Sequence, residues 1–160
     1  MSSVLPEICS CSAVRQAARH LTRLYDETLA PTGLGLNQYS ILAKIDRHGS
    51  LPIQDLAALL VMDRSTLGHL VRPLQQRGLV TIRPSEEDGR KRVVALTEQG
   101  GALLSSARPL WKTTEDRFQA SFGEDAAAEL RAMMRVVTMV DLFSGANSAP
   151  SEALKVPLKP

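Results

Sequence analysis

A mainly α-helical chain with a small β-wing is what these 160 residues predict. Three observations carry the prediction. Apolar residues recur at helical spacing over both ends of the chain. Near the middle, two short amphipathic helices are joined by a link of only a few residues, so they must cross steeply. After them, two β-prone runs, residues 80–84 and 93–96, flank a polar stretch in which Asp88 and Gly89 signal a turn. The middle therefore reads as a winged helix-turn-helix over residues 36–100. Residues 1–35 and 101–144 read as a helical dimerisation region, and residues 145–160 as a C-terminal tail.

The elements follow in order. Residues 1–6 are expected to be loose. A first helix spans about residues 8–29, with Cys11, Val14, Ala18, Leu21, Tyr25 and Thr28 at helical spacing; Pro31 and Gly33 end it. A second runs from about Asn37, taken as its cap, to His48, burying Ile41, Leu42 and Ile45. Gly49 and Ser50 stop it, and Leu51 and Pro52 form an extended link. The first helix of the helix-turn-helix covers residues 53–60.

Asp63 then has the chemistry of an N-cap, because its carboxylate can accept from the free N–H groups of the first turn. Leu67, Leu70, Val71 and Leu74 fall at i, i+3, i+4 and i+7 and form the buried stripe of the next helix. Its opposite face carries Arg64, Ser65, Gly68, His69, Arg72 and Gln76, and Gly78 supplies the left-handed stop. Pro73 lies inside this helix, removes a backbone donor and predicts a bend.

Thr97 caps a long helix to about Phe122, with Leu103, Leu104, Ala107, Leu110, Trp111, Thr114 and Phe118 on its apolar face and Pro109 as a kink point. Gly123 breaks it. The last helix spans about residues 124–143; Val136 and Met139 widen its apolar stripe, so it wants a partner beyond its own fold.

Composition limits what such a chain does. With 44% hydrophobic and only 4% aromatic residues it can build a core, and an aliphatic one. No apolar run reaches the roughly 18 residues of a membrane span, and the N-terminus lacks a basic-then-apolar leader, so no membrane partner and a cytoplasmic location are expected. Net charge is only +2, but residues 64–92 hold seven Lys or Arg. His20, His48 and His69 do not cluster with other ligand types, so no metal is expected. Neither a phosphate-cradling glycine loop nor an acid/base pair or nucleophile motif stands out, so the chain reads as no enzyme and as needing no cofactor.

Asp63, Arg64, Ser65 and Thr66, then residues 74–80 from Leu74 to Val80, then Asp88, Gly89, Arg90, Lys91 and Arg92, then residues 96–100 from Leu96 to Gly100, form an ordered set of motifs. In this order and spacing, residues 53–100 resemble the winged helix-turn-helix of MarR-type transcriptional regulators. The resemblance extends over roughly residues 10–143. It implies a homodimeric, sequence-specific DNA-binding regulator, usually a repressor, on an inverted-repeat operator in double-stranded DNA. It implies that Asp88 orients an arginine and that Arg90 enters the minor groove. Two features depart from the family pattern: Pro52 stands where a Ser or Thr cap is common, and Pro73 resembles one branch only.

Each site has a plainer reading beside the functional one. Arg64, Ser65, Thr66, His69 and Arg72 suit DNA contact, yet a charged helix face is often just solvated; Thr66 also suits the cap. Arg90 suits the minor groove and Arg92 a phosphate, yet charged hairpin tips also serve solubility. Cys9 and Cys11 read as small hydrophobes at a helix start, or as a redox switch favoured by the helix N-terminus and Arg15. Their spacing is wrong for a zinc clip, and an intrachain disulfide between them is strained. Members of the resembled family also bind small aromatic acids in a crevice, here lined by parts of residues 11–25, 36–45 and 103–114, where Arg15 or His20 meets a carboxylate. Release from DNA by a small aromatic or phenolic ligand and release by thiol oxidation both stay open. A competing class is a winged helix that docks on protein and has no DNA role.

Overall fold

A computed structural model describes residues 9–86 and 88–140. The expected loose start at residues 1–6, the first helix's start at Ile8, the last helix's end at Phe143 and the tail at 145–160 lie outside the described residues. The chain forms two compact units, one reaching Glu124 and one beginning at Asp125.

The architecture is mostly helical with one small antiparallel sheet, as expected. Its order is α1 (Ser10–Leu29), a 3-10 turn (Ala30–Thr32), α2 (Leu36–His48), β1 (Leu51–Pro52), α3 (Ile53–Leu59), α4 (Arg64–Gln76), β2 (Val80–Pro84), β3 (Arg92–Leu96), α5 (Glu98–Phe122) and α6 (Glu124–Met139). The helices obey the apolar spacing that predicts them. Ile41, Leu42 and Ile45 of α2, Leu56 of α3 and Leu67 and Leu74 of α4 are all buried in one core. Leu29 of α1 and Leu104 and Ala107 of α5 belong to the same core.

Two details depart from expectation. The N-cap of α2 is Gly35, not Asn37. Gln38 Oε1 accepts from the Gly35 N–H at 3.3 Å, and Asp26, ten residues back on α1, accepts from the Leu36 N–H at 2.6 Å. A carboxylate from another helix thus does the work a local cap would do. The link at Leu51 and Pro52 is a third strand: Leu51 pairs with Val94 and Pro52 with Val93, giving the sheet order β1-β3-β2. Proline is tolerated there because β1 is an edge strand.

The turn between α3 and α4 is tight. Val61 adopts φ 52°, and the Met62 N–H reaches back to the Ala57 carbonyl at 2.9 Å. A β-branched residue in the left-handed region is strained by about 1–3 kcal/mol. The short link between α3 and α4, with Met62 bonded back to Ala57, holds it there. Helix α4 runs through Pro73 without interruption and ends at Gly78, whose φ is 69°.

Candidate nucleic-acid interface

Helix α4 presents its two faces as its spacing demands. Leu67, Val71 and Leu74 are buried, while Arg64, Ser65, Thr66, Gly68, His69 and Arg72 are all exposed. Its first turn is fixed by Asp63. One carboxylate oxygen accepts from the Thr66 N–H at 2.8 Å and the other from the Thr66 hydroxyl at 2.6 Å. The Thr66 hydroxyl bond, then its N–H bond, hold the Asp63 carboxyl below its ordinary pKa. Thr66 therefore serves the cap, with its hydroxyl proton committed.

The wing is built by β2 and β3, in register from Val80 opposite Leu96 to Pro84 opposite Arg92. Its tip is closed by backbone bonds from Ser85 N–H to the Lys91 carbonyl (2.8 Å) and from Lys91 N–H to the Asp88 carbonyl (2.9 Å). The Asp88 carboxylate accepts from the backbone N–H of Arg90 at 3.1 Å. Asp88 thus acts on the main chain that carries Arg90. Arg90, Lys91 and Arg92 are exposed.

Wing and helix meet at one cleft. A concavity of about 280 Å³ is lined by Pro52, Ile53, Gln54, Asp55, Arg64, Arg90, Lys91 and Arg92. Of the predicted residues it gathers Arg64, Arg90 and Arg92; His69 and Arg72 lie further along the open face of α4. Four cations face one carboxylate, so the cleft favours an anion. Among the described residues, the ion pairs of the head engage Arg83 with Glu86 (2.6 Å) and Arg108 with Asp46 (2.5 Å), and none of the four cleft cations. Gln54 and Lys91 were missed by the sequence reading. Lys91 carried a signal, as part of a basic triplet; Gln54 reaches the cleft from α3, which carries no basic residue to single it out.

The other predicted residues lie elsewhere. Where α1, α2 and α5 pack, Trp111 stacks between Tyr25 (6.4 Å) and Tyr39 (5.9 Å), and the Tyr25 hydroxyl donates to the Glu115 carboxylate. Burial raises the Tyr39 pKa, and Arg108 offsets this in part. Arg15 and His20 are exposed. Arg15 lines an open groove on α1 with Ala18, Arg19, Thr22, Arg23 and Asp26; His20 is not in its lining. Cys9 and Cys11 are exposed at the start of α1. Among the described residues, no three His, Cys, Asp or Glu side chains gather as metal ligands, and no helix is long and apolar enough to cross a membrane.

Arg77, just past α4, donates to the Gly33 carbonyl at 2.8 Å, tying the helix end to the turn after α1. This strap was also missed, since its partners are 44 residues apart.

Comparison with known proteins gives consistent matches. Residues 34–91 match the model of the MarR family. The organic hydroperoxide resistance transcriptional regulator of Bacillus subtilis is 30% identical over 97 residues, covering 61% of this chain and 66% of that protein. The transcriptional repressor NicR of Pseudomonas putida is 30% identical over 132 residues, covering 82% of this chain and 84% of NicR. Among solved structures, the Mycobacterium tuberculosis regulator MosR in complex with DNA is 31% identical, with a TM-score of 0.71, covering 82% of this chain and 97% of that one.

Proposed function

This chain belongs to the MarR family of transcriptional regulators, and from that premise we propose that it is a homodimeric repressor that binds an inverted-repeat operator in duplex DNA. The observation that carries the reading is the cleft that sets Arg64 beside Arg90, Lys91 and Arg92. On this reading, the exposed face of α4 enters the major groove, with Arg64, Ser65, His69 and Arg72 toward base edges and phosphates. Thr66 holds the cap and contributes at most its hydroxyl lone pairs as acceptors. Arg90 enters the neighbouring minor groove, positioned through Asp88, and Arg92 meets a phosphate.

Residues 36–100 read DNA, and residues 1–35 and 101–144 form the dimer. The two-fold axis relates two reading heads, so half-site centres stand about one helical turn, ~10 base pairs, apart. A regulator of this kind works in the cytoplasm, beside the chromosome. Release comes from a small aromatic or phenolic ligand, or from thiol oxidation at Cys9 or Cys11. The exposed thiols support oxidation, as does the name of the hydroperoxide-resistance relative. For the ligand route, Arg15 and His20 remain the proposed carboxylate partners.

The test is a salt titration of binding to a duplex selected from a random library by the protein itself. Log affinity should fall linearly with log salt, and Arg90→Ala should weaken binding and lower the slope by about one. Salt-independent binding would favour the protein-docking reading instead. Two further arms on the same complex, peroxide and an aromatic acid, separate the release routes. A Cys9→Ser, Cys11→Ser double variant should ignore only the peroxide.

A further inference from the structure

Gly68 sits in the middle of α4, exposed, with Arg64 and Ser65 before it and His69 and Arg72 after it. Its backbone is ordinary right-handed helix, since the positive-φ glycines among the described residues are Gly33, Gly49, Gly78 and Gly123. Beyond its chain neighbours and the backbone of its own helix, a Cβ built on Gly68 would meet no heavy atom of the described residues within 4 Å. The fold therefore has no use for a glycine here that alanine would not serve. Yet glycine is the poorest helix former after proline, because it surrenders the most backbone freedom on folding.

Gly100 makes the contrast. A Cβ there would lie 1.9 Å from the Leu79 carbonyl oxygen, so packing inside the chain accounts for that glycine. Among the described residues, no packing contact accounts for Gly68. What distinguishes its position is the surface around it. Long polar side chains flank a bare patch of helix backbone on the face turned away from the core. That shape suits a partner that the side chains straddle while the backbone itself comes close.

We propose that Gly68 is a specificity-determining position, where the absent side chain lets the α4 backbone seat against base-pair edges on the floor of the major groove. The inference rests on the DNA-binding reading above. A Cβ at the point of closest approach would hold the whole helix away from the bases and lengthen the contacts made by its neighbours. The phosphate contacts, made by flexible cations further out, would adapt.

The rival explanation is internal. Pro73 lies five residues on, and a proline ring crowds the carbonyl four residues before it, which is that of His69. If Gly68 exists to relieve that crowding, alanine should destabilise the fold.

Wild type, Gly68→Ala and Gly68→Leu are compared on two duplexes, the one selected by wild type from a random library and one of random sequence, with thermal melts in parallel. Both replacements are good helix formers. The melting temperature of Gly68→Ala should rise by a few degrees. Its affinity for the selected duplex should fall about ten-fold, on the scale of a mismatched base pair. Gly68→Leu should bind the selected duplex no better than the random one. Affinity for the random duplex and the salt slope should hold, since no charge is lost. Wild-type affinity of Gly68→Ala for the selected duplex would overturn the proposal, and so would a lowered melting temperature. Failure of wild type itself to bind either duplex in a salt-dependent way would sink the DNA reading and this inference together, a result distinct from any seen only in the variants.

Discussion

The stripe that α4 turns inward and the stripe along α6 have the same spacing and opposite fates. Leu67, Val71 and Leu74 are at most 3% exposed, closed in by α2, α3 and β2. Met133 and Val137 of α6 are 39% and 56% exposed, and Val140 just past its end is 48% exposed. Helix α1 contains the same contrast within one element: Leu29 is wholly buried and Val14 is 38% exposed. Periodicity says that a helix has a face to hide. It does not say whether the cover comes from the same chain. In the reading head it does; along α6 and the start of α1, a second copy of this chain is the cover we propose.

The head side of this contrast should break first and hardest. Leu67→Ala removes a fully buried side chain, so unfolding free energy should drop by about 2–5 kcal/mol in denaturant titration. A drop under ~1 kcal/mol would mean that the head's core is not as closed as described. The α6 side should break differently. A Met133→Asp, Val137→Asp double variant places charges on the exposed stripe while leaving the head untouched. Its circular dichroism should hold, its sedimentation mass should fall to that of a 17.4 kDa monomer, and its affinity for a two-half-site duplex should fall by about ten-fold or more. An unchanged mass would assign the stripe to some other role.

The smallest effect sharpens the picture at the helix cap. Thr66 depresses the Asp63 pKa, so the ionised carboxylate favours the folded state. That contribution is fully present above the ordinary carboxyl value of 3.8 and is lost as pH falls through the lower folded value. Asp63→Ala should therefore be less stable than wild type at neutral pH, and the gap between them should narrow below pH 3.8. A gap that stays constant with pH would remove the carboxylate from the cap's energetics.

Most of the fold was legible because long apolar stripes and turn residues are local signals. β2 and β3 needed only β-prone runs around Asp88 and Gly89. What was not legible came from distance. β1 is two residues long and exists because β3 offers it an edge. The cap of α2 is completed by Asp26, a carboxylate on another helix. The Tyr25–Trp111–Tyr39 stack gathers three helices from distant parts of the chain. At the site, the residue types on α4 and the wing were legible. That Arg64 shares a cleft with Arg90, and that Gln54 joins them, depended on how α3, α4 and the wing pack together.

Thr97 joins the sheet to the long helix through a single oxygen. Its hydroxyl donates to the Gly78 carbonyl at 2.6 Å, and the same oxygen receives the Gly100 N–H at 3.0 Å. Gly100 in turn sits where any side chain would strike the Leu79 carbonyl. Four residues from two segments, flanking the whole wing, thus form one weld. This shapes how such a protein can be recombined. A crossover inside the wing takes Gly78 and Leu79 from one parent and Thr97 and Gly100 from the other. The hybrid keeps the weld only if both parents carry compatible residues at these four positions. Residues 36–100 contain all four, so exchanging that whole segment carries the weld intact, while a break between positions 79 and 97 divides it.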